Sequence, residues 1–336
     1  MISLNTSYLG LDLKNPLIAA SSGMTSKLSN LIELEKNGVS AVVLKSLFEE
    51  EIVAEMGSRM QQMNMQGFIY PETVEFYEKA EEGNEESTLK YLDFIREAKQ
   101  HLNIPVIASV NCVTAGQWTY FPREIQNAGA DALELNLFIL PTDLKRTADE
   151  NEKVYFSIIE EVKKQVSIPV SVKTSFYFSN LLQTLTHLSE TGIKGLVLFN
   201  RFYSPDIDIE NLQVTSGNIL SHPEDLSLTL RWIALMSGRV SCDLAATTGI
   251  HEGKDIIKVL LAGADAAQVA SVFYEKGFVH ASKMLKDLED WMKAKSFNSI
   301  SDFRGLLNQA NVSNPAAYER VQFMKYFRGY KHTGVF

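Results

Sequence analysis

Short apolar segments recur along the chain, and segments with helical periodicity separate them. Uninterrupted apolar segments of this length are typical of parallel strands that are buried on both faces. The predicted strands are residues 16–20, 41–45, 105–111, 132–137, 169–173, 195–200, 240–245 and 266–270. Eight strands that alternate with helices predict an α/β fold, the (β/α)8 barrel, and a doubly wound open sheet is the alternative.

Two helix-to-strand junctions have the same sequence, Ala-Gly-Ala-Asp, at residues 128–131 and 262–265. A glycine just after the last helical turn supplies the left-handed residue that ends a helix. Gly129 and Gly263 are therefore predicted to end one helix each and to release the strand that follows.

Two intervals between predicted strands, 46–104 and 201–239, are too long for a simple connection. Both follow a strand, so both are expected on the face of the barrel where active sites form, covering a substrate. Within the second interval, residues 201–224 are predicted as a loop. We expect one domain over residues 1–336, with these two insertions and a C-terminal helical tail that begins near residue 287.

Composition excludes several classes of protein. The chain has 336 residues, 45% of them hydrophobic, and a net charge of −9, without a basic cluster that would bind nucleic acid. We find no secretion signal and no apolar segment of about 18 residues, so a cytoplasmic protein without a membrane span is expected. Cys112 and Cys242 are too few for a disulfide framework or an iron–sulfur site, so no metal is predicted and any redox cofactor must be organic.

Polar residues occupy the carboxyl ends of five predicted strands. These residues are Lys45 with Ser46, Asn111, Asn136, Lys173 and Asn200. One asparagine at a strand end is usually a turn former, but five polar ends that converge on one mouth predict a ligand site. A lysine at the end of a buried strand requires an anionic or electron-rich partner. A flavin is such a partner, since an ammonium near N1 and O2 stabilises the reduced ring.

The turns after the last two predicted strands favour a phosphate site. Barrels bind phosphate there through backbone N–H groups at a helix N-terminus. Thr248 and Ser271 carry hydroxyls, and Gly249 allows close approach of the backbone. No GxGxxG sequence follows the first strand, so FMN is predicted rather than a dinucleotide.

In order and spacing, these residues resemble the dihydroorotate dehydrogenase family, in particular its soluble first class, over about residues 4–277. The similar segments are residues 15–23, Lys45-Ser46, Ser109-Val110-Asn111, Glu134-Leu135-Asn136, Val172-Lys173, Phe199-Asn200, Thr248-Gly249-Ile250 and Glu252-Gly253-Lys254-Asp255. The resemblance implies an FMN enzyme of pyrimidine biosynthesis that oxidises dihydroorotate to orotate, passes hydride to flavin N5 and uses a soluble electron acceptor. A homodimer is a further expectation.

The resemblance also assigns the site residues. Those expected to bind FMN are Ser22, Lys45, Ser46, Asn111, Asn136, Lys173, Gly217, Thr248, Gly249, Ala270 and Ser271. Those expected to bind the dihydropyrimidine are Asn64, Asn136 and Asn200, with Lys45 also facing it. Arg201 is added because a guanidinium binds a carboxylate through two parallel hydrogen bonds, and a surface arginine is the alternative.

Two departures from the family concern the chemistry. The family places a Cys or Ser base shortly after the asparagine of the fourth strand, and Ile139 stands at about that position here. Thr142 is the favoured replacement, with Asp143 and Cys112 as alternatives, and Lys45 is the second expected catalytic residue. Residues 47–51, Leu-Phe-Glu-Glu-Glu, replace a segment that tends to be basic in the family, which removes countercharge for an acidic substrate.

Three other functions stay open from the sequence. The first alternative is a reductase of a related pyrimidine. The second is a flavin- or phosphate-binding barrel without dehydrogenase activity, and the third is an aldolase that uses Lys173 as a Schiff-base amine. The aldolase is the least favoured, because amide-rich strand ends lack an acid–base pair nearby.

Overall fold

The computed structural model describes residues 2–48, 87–112, 120–201 and 205–319. In chain order these residues form β1 (Thr6–Tyr8), β2 (Leu11–Leu13), β3 (Leu17–Ala19), α1 (Leu28–Lys36), β4 (Ala41–Val43), β5 (Leu47–Phe48), α2 (Ser87–His101), β6 (Val106–Cys112), α3 (Phe121–Asn127), β7 (Ala132–Leu137), α4 (Ala148–Gln165), β8 (Val170–Thr174), α5 (Leu181–Glu190), β9 (Gly195–Leu198), β10 (Pro205–Asp208), β11 (Gln213–Ser216), α6 (Leu226–Met236), β12 (Asp243–Thr247), α7 (Gly253–Ala262), β13 (Ala266–Val269), α8 (Ser271–Lys276), α9 (His280–Lys295) and α10 (Ala316–Glu319).

Eight of the described strands form a closed parallel ring. Their order is β4-β3-β13-β12-β9-β8-β7-β6, and the pairing of β4 with β6 closes it. Helices follow the strands and cover the outside of the ring, where the larger apolar cluster lies. The predicted (β/α)8 barrel is therefore confirmed, and the open sheet is excluded.

Each predicted strand corresponds to a barrel strand, but the seventh begins later than expected, at Asp243 instead of Val240. Val240 and Cys242 extend the apolar segment because they pack against the outer core from the connection after α6. A second difference lies in residues 201–224, where β10 and β11 form an antiparallel hairpin in a segment predicted as a loop.

The repeated Ala-Gly-Ala-Asp sequence ends a helix and ties down a neighbouring strand. Gly129 and Gly263 have φ values of 101° and 112°, in the left-handed region that favours glycine. Asp131 then accepts the backbone N–H of Val106 at 2.7 Å. Asp265 accepts that of Leu244 at 2.8 Å. Each aspartate thereby fixes the first residues of the adjacent strand.

The β1–β2 hairpin closes the amino-terminal end of the barrel. Tyr8, Leu9 and Leu13 are buried there, in one cluster with the lowest inward-facing residues of the strands. Gly195 leaves the room they need, since a Cβ at this position would lie 2.5 Å from Leu9 Cδ2. The backbone N–H of Leu9 donates to Asp243 Oδ2 at 2.7 Å. A ligand therefore has to enter from the opposite end, the carboxyl end of the strands.

Residues after α9 pack back onto the barrel over most of their described length. Ile300 and Phe303 are buried. The backbone N–H of Leu307 donates to Leu261 at 2.8 Å, and that of Gln309 donates to Ala234 at 3.0 Å. This segment is therefore part of the helical layer, beside α6 and α7, as far as Glu319. None of the helices in the described ranges is long and apolar enough to span a bilayer.

Candidate active site

A cavity of about 630 Å³ opens at the carboxyl end of the barrel, a size that is usual for small-molecule sites. Its walls come from the residues at and just after the ends of β3, β8, β9, β12 and β13, and from the loop residues 219–221. Among the predicted site residues, Ser22, Lys173, Asn200, Arg201, Thr248, Gly249, Ala270 and Ser271 line it. The fold therefore brings Ser22 and Ser271, which are 249 positions apart in the sequence, to the same cavity.

The other predicted residues lie elsewhere or next to this lining. Lys45, Ser46, Gly217 and Thr142 are outside the described part of the wall. Ser46 Oγ lies 2.8 Å from Ser109 Oγ and 3.0 Å from Oγ of Ser21, which lines the cavity. Asn64 belongs to residues 49–86, outside the described residues, so its assignment stays a prediction.

Asn111, Asn136 and Lys173 form a row on three adjacent strands. Asn111 pairs in register with Asn136, and Asn136 pairs with Lys173. Because side chains at paired positions point to the same face, all three face the barrel interior. Asn136 Oδ1 is buried and has no hydrogen-bond partner within the described ranges. An unpaired buried acceptor at this end of the barrel fits a ligand that offers an N–H donor.

The two predicted lysines differ in exposure. Lys173 is 7% exposed and lines the cavity, with its Nζ 3.9 Å from Glu134 Oε1. Lys45 is exposed. The desolvation argument for an electron-rich partner therefore applies to Lys173 and not to Lys45.

At the far end of the cavity, Thr248 and Gly249 form a tight turn, with φ values of 75° and 77°. A Cβ on Gly249 would lie 2.2 Å from the backbone nitrogen of Leu226, so the turn packs directly against the start of α6. The Thr248 hydroxyl donates to the carbonyl of Phe199 at 3.2 Å. The Thr248 hydroxyl hydrogen is therefore already used within the protein. The turn shapes the wall of the cavity but does not offer this hydroxyl as a donor to a ligand.

A chain of hydrogen-bonding groups that the sequence did not predict lies beside this turn. Ser271 Oγ accepts from both the backbone N–H and the hydroxyl of Ser221, each at 2.9 Å. Because Ser271 is the acceptor in both bonds and lines the cavity, its own hydrogen can be donated to a ligand. His251 Nε2 lies 3.3 Å from Ser221 Oγ, and His251 Nδ1 lies 3.2 Å from Glu275 Oε2. Ser221 and His251 are 30 positions apart, and only the fold brings them together.

Arg201 lines the cavity, but its guanidinium is partly engaged by the protein. It donates to the carbonyl of Asn218 at 2.6 Å and to that of Ile219, and its Nε lies 3.9 Å from Asp225 Oδ2. These bonds hold the loop at residues 218–219 beside the cavity. Binding of a substrate carboxylate by Arg201 stays a prediction.

The candidate bases lie away from the described wall of the cavity. Thr142 and Asp143 are exposed, and Asp143 Oδ1 accepts the backbone N–H of Lys145 at 2.9 Å. Cys112 is buried in the outer core, facing the helices, as expected from its position next to the inward-facing Asn111. The backbone N–H of Ile139, which stands at about the usual base position, donates to Tyr155 Oη at 3.2 Å.

The residues present fit FMN at both ends of the cavity. A buried ammonium and an unpaired amide oxygen lie towards the barrel centre, where a polar ring system can complete them. At the other end, the Ser271 hydroxyl lies at the first residue of α8 and the tight Thr248-Gly249 turn precedes α7, and phosphates commonly bind near helix N-termini.

Comparison with known proteins agrees with this geometry. A family model described as dihydroorotate dehydrogenase matches residues 3–292. A relative from Thermoplasma acidophilum, named dihydroorotate dehydrogenase B (NAD(+)), catalytic subunit, is 27% identical over 91% of this chain and 99% of its own length. A protein of the same name from Bacillus pumilus is 25% identical over 90% of this chain and 96% of its own length. A putative dihydroorotate dehydrogenase A (fumarate) from Aeropyrum pernix is 26% identical over 63% of this chain and 70% of its own length. The chain belongs to the dihydroorotate dehydrogenase family.

Proposed function

We propose that this protein is an FMN-dependent dehydrogenase that acts on the CH–CH bond of a dihydropyrimidine and converts dihydroorotate to orotate. The observation that carries the proposal is one cavity with a buried ammonium, Lys173, at one end and the Ser271 hydroxyl with the Thr248-Gly249 turn at the other. The ammonium fits the electron-rich ring of a flavin mononucleotide, and the hydroxyl and turn fit its phosphate.

Within this proposal each residue has a physical task. Bound FMN supplies the hydride acceptor, N5 of its ring. Lys173 holds a positive charge where the reduced ring gains negative charge, and Ser271 donates to the phosphate. Asn200 and Arg201 lie in the same cavity and bind the pyrimidine. Asn64 is proposed to join them from outside the described ranges.

The base is the open part of the reaction. We keep Thr142 as the proposed group, assisted by Lys45, although both side chains are exposed. A general base must come within hydrogen-bond reach of the proton it removes, directly or through one water. The loop that follows β7 therefore has to fold over the cavity when substrate binds. Ile139 stands at about the position where the family has its base. This favours a second candidate function, the reduction of a related pyrimidine with a proton from another donor.

The relatives' names suggest the partners. The names of these relatives contain NAD(+) and fumarate, which are both soluble molecules. This supports a soluble electron acceptor for this chain. The words catalytic subunit support an additional partner subunit. A homodimer and a cytoplasmic location stay predictions.

An anaerobic half-reaction tests the proposal. The purified protein, loaded with FMN, is mixed with dihydroorotate and separately with dihydrouracil, and flavin absorbance is followed. We expect dihydroorotate to bleach the flavin. Bleaching by dihydrouracil alone would favour the related pyrimidine, and binding of FMN without bleaching by either would favour a barrel without dehydrogenase activity. Failure to bind any flavin would contradict the proposal altogether.

A further inference from the structure

A carboxylate lies at the centre of the barrel, below the cavity. Glu134, on β7, is 0% exposed and faces the interior. Its Oε2 accepts a hydrogen bond at 2.7 Å from Nε2 of Gln268, which comes from β13 on the other side of the ring. Its Oε1 has no hydrogen-bond partner among the described residues.

A buried carboxylate with one hydrogen bond is unfavourable unless a cation lies close by. Lys173 is the one ion-pair partner of Glu134 in the described part of the chain, with Nζ 3.9 Å from Oε1. Strand register explains the placement, since Glu134 pairs with Ser171, two positions before Lys173. The carboxylate therefore lies one inward-facing layer below the ammonium, on the side away from the mouth.

The other polar groups around Glu134 do not replace this cation. Burial, and after it the negative charges of Glu134 and Asp243, raises the pKa of Tyr8 well above its ordinary value, so the phenol is neutral. The Ser171 hydroxyl is buried beside it and carries no charge. Among the described residues, Lys173 is therefore the cation that faces Glu134.

We infer that Glu134 is a positioning residue that acts through Lys173: it holds the ammonium at the base of the cavity, and its negative charge tunes the reduction potential of the bound flavin. This inference rests on the proposed function. The pair has no net charge, so the ring above it feels the nearer positive charge reduced by the more distant negative one. Removing either member shifts the flavin potential, and the two shifts have opposite signs.

The test is the midpoint potential of the bound FMN, measured with a chemical reductant and a reference dye at about pH 6. Glu134→Gln preserves the side-chain volume and the bond with Gln268. We expect its potential to rise, because the ammonium loses its counter-ion. Reduced FMN should then bind about tenfold more tightly relative to oxidised FMN than in the parent, as expected for one unit charge acting within about 10 Å.

Three further variants separate tuning from a structural effect. Lys173→Met should lower the potential. The double variant should lie between the two single variants and somewhat below the parent, because it lacks both the nearer positive charge and the more distant negative one. Ser171→Ala, in the same buried layer and without a charge change, should leave the potential unchanged. A potential that stays the same or falls in Glu134→Gln would overturn the inference. So would single variants that shift the potential in the same direction, together with a double variant whose shift equals their sum.

The measurement uses no substrate, so its failure is distinguishable from failure of the proposed function. If the parent binds no flavin, the proposed function fails. If it binds flavin and Glu134→Gln leaves the potential unchanged, only the role of Glu134 fails.

Discussion

Gly249 combines a left-handed backbone with a close neighbour. Its φ is 77°, and an added Cβ would lie 2.2 Å from Leu226 N and 2.8 Å from Leu226 Cα. We expect Gly249→Ala to lower the free energy of unfolding by about 2–5 kcal/mol, the sum of backbone strain and steric overlap. Gly238→Ala is the matched control: its φ is 81°, but an added Cβ would meet nothing within 4 Å, so about 1–2 kcal/mol is expected. Equal losses in denaturant titrations of the two variants would contradict the steric argument.

Ser271 offers a test of the phosphate site that does not depend on turnover. Its oxygen accepts two hydrogen bonds from Ser221, so its hydrogen is available to a phosphate. Hydrogen bonds to charged groups contribute about 1.5–3 kcal/mol, so Ser271→Ala should weaken FMN binding by about 10–100-fold. Riboflavin, which lacks the phosphate, should bind parent and variant equally. An equal loss for both ligands, measured by flavin fluorescence, would place the phosphate elsewhere.

The base is tested by two variants of the loop after β7. Thr142→Ala or Asp143→Asn should abolish flavin reduction by substrate while FMN stays bound, and the variant that does so identifies the base. We expect it to be Thr142, because a carboxylate would repel an anionic substrate. If both variants are reduced at the parental rate in stopped-flow measurements, neither side chain is the base. Cys112 would then be the next to test, although it faces the outer core.

The sequence predicted the parts of the site that local patterns determine. Lys173 lies near the end of an apolar strand, and Thr248-Gly249 follows another, so their place at the mouth depends on strand order alone. Ser221 and His251 were missed because each is unremarkable in its own segment, and their contact depends on how a loop packs over the barrel. Glu134 belongs to one of the segments that resemble the family, but the sequence does not indicate which buried lysine lies beside it.

At the scale of elements, the Ala-Gly-Ala-Asp junctions connect helix ends to strand starts. Asp131 accepts the N–H of Val106 and also pairs with Lys99 at 2.7 Å. We expect Asp131→Ala to destabilise the fold by about 2 kcal/mol, mostly from the unsatisfied N–H. Asp93→Ala removes only an exposed pair with Arg96 on α2, and less than about 0.5 kcal/mol is expected. Thermal unfolding that ranks these variants the other way would argue against a structural role for the junction.

The elements themselves were largely predictable, because strands buried on both faces leave a strong apolar signal. The apolar pattern does not predict strand ends correctly where apolar residues outside a strand pack on the outer core, and it does not detect exposed strands. Val240 and Cys242 pack on the outer core and shift the apparent start of β12. In the β10–β11 hairpin, Ile207 and Val214 are 66% and 80% exposed, so burial gives no pattern there to recognise.

For the whole molecule, the cavity wall is assembled from five neighbouring strands of the ring, from β3 near the start of the chain to β13, so the site exists only when these strands have paired. A ligand that binds only the folded state stabilises it by about 2.7 kcal/mol at 100 times its Kd. We therefore expect FMN at that concentration to raise the unfolding temperature of the entire barrel in one transition. An early transition that FMN leaves unmoved, in calorimetry of the apo and FMN-loaded protein, would contradict a single cooperative unit.

The hairpin that closes the lower end of the barrel also bears on how the chain reaches its native state. Leu9 binds Asp243, which lies 234 positions later. The strand β3 completes the ring by pairing with β13, a comparable distance along the chain. Contacts of such long sequence separation slow folding, since a large loop must close before they form. During synthesis, Tyr8 and Leu9 therefore remain without their native neighbours until most of the protein has been made, and a chaperone that shields apolar segments would find its target there.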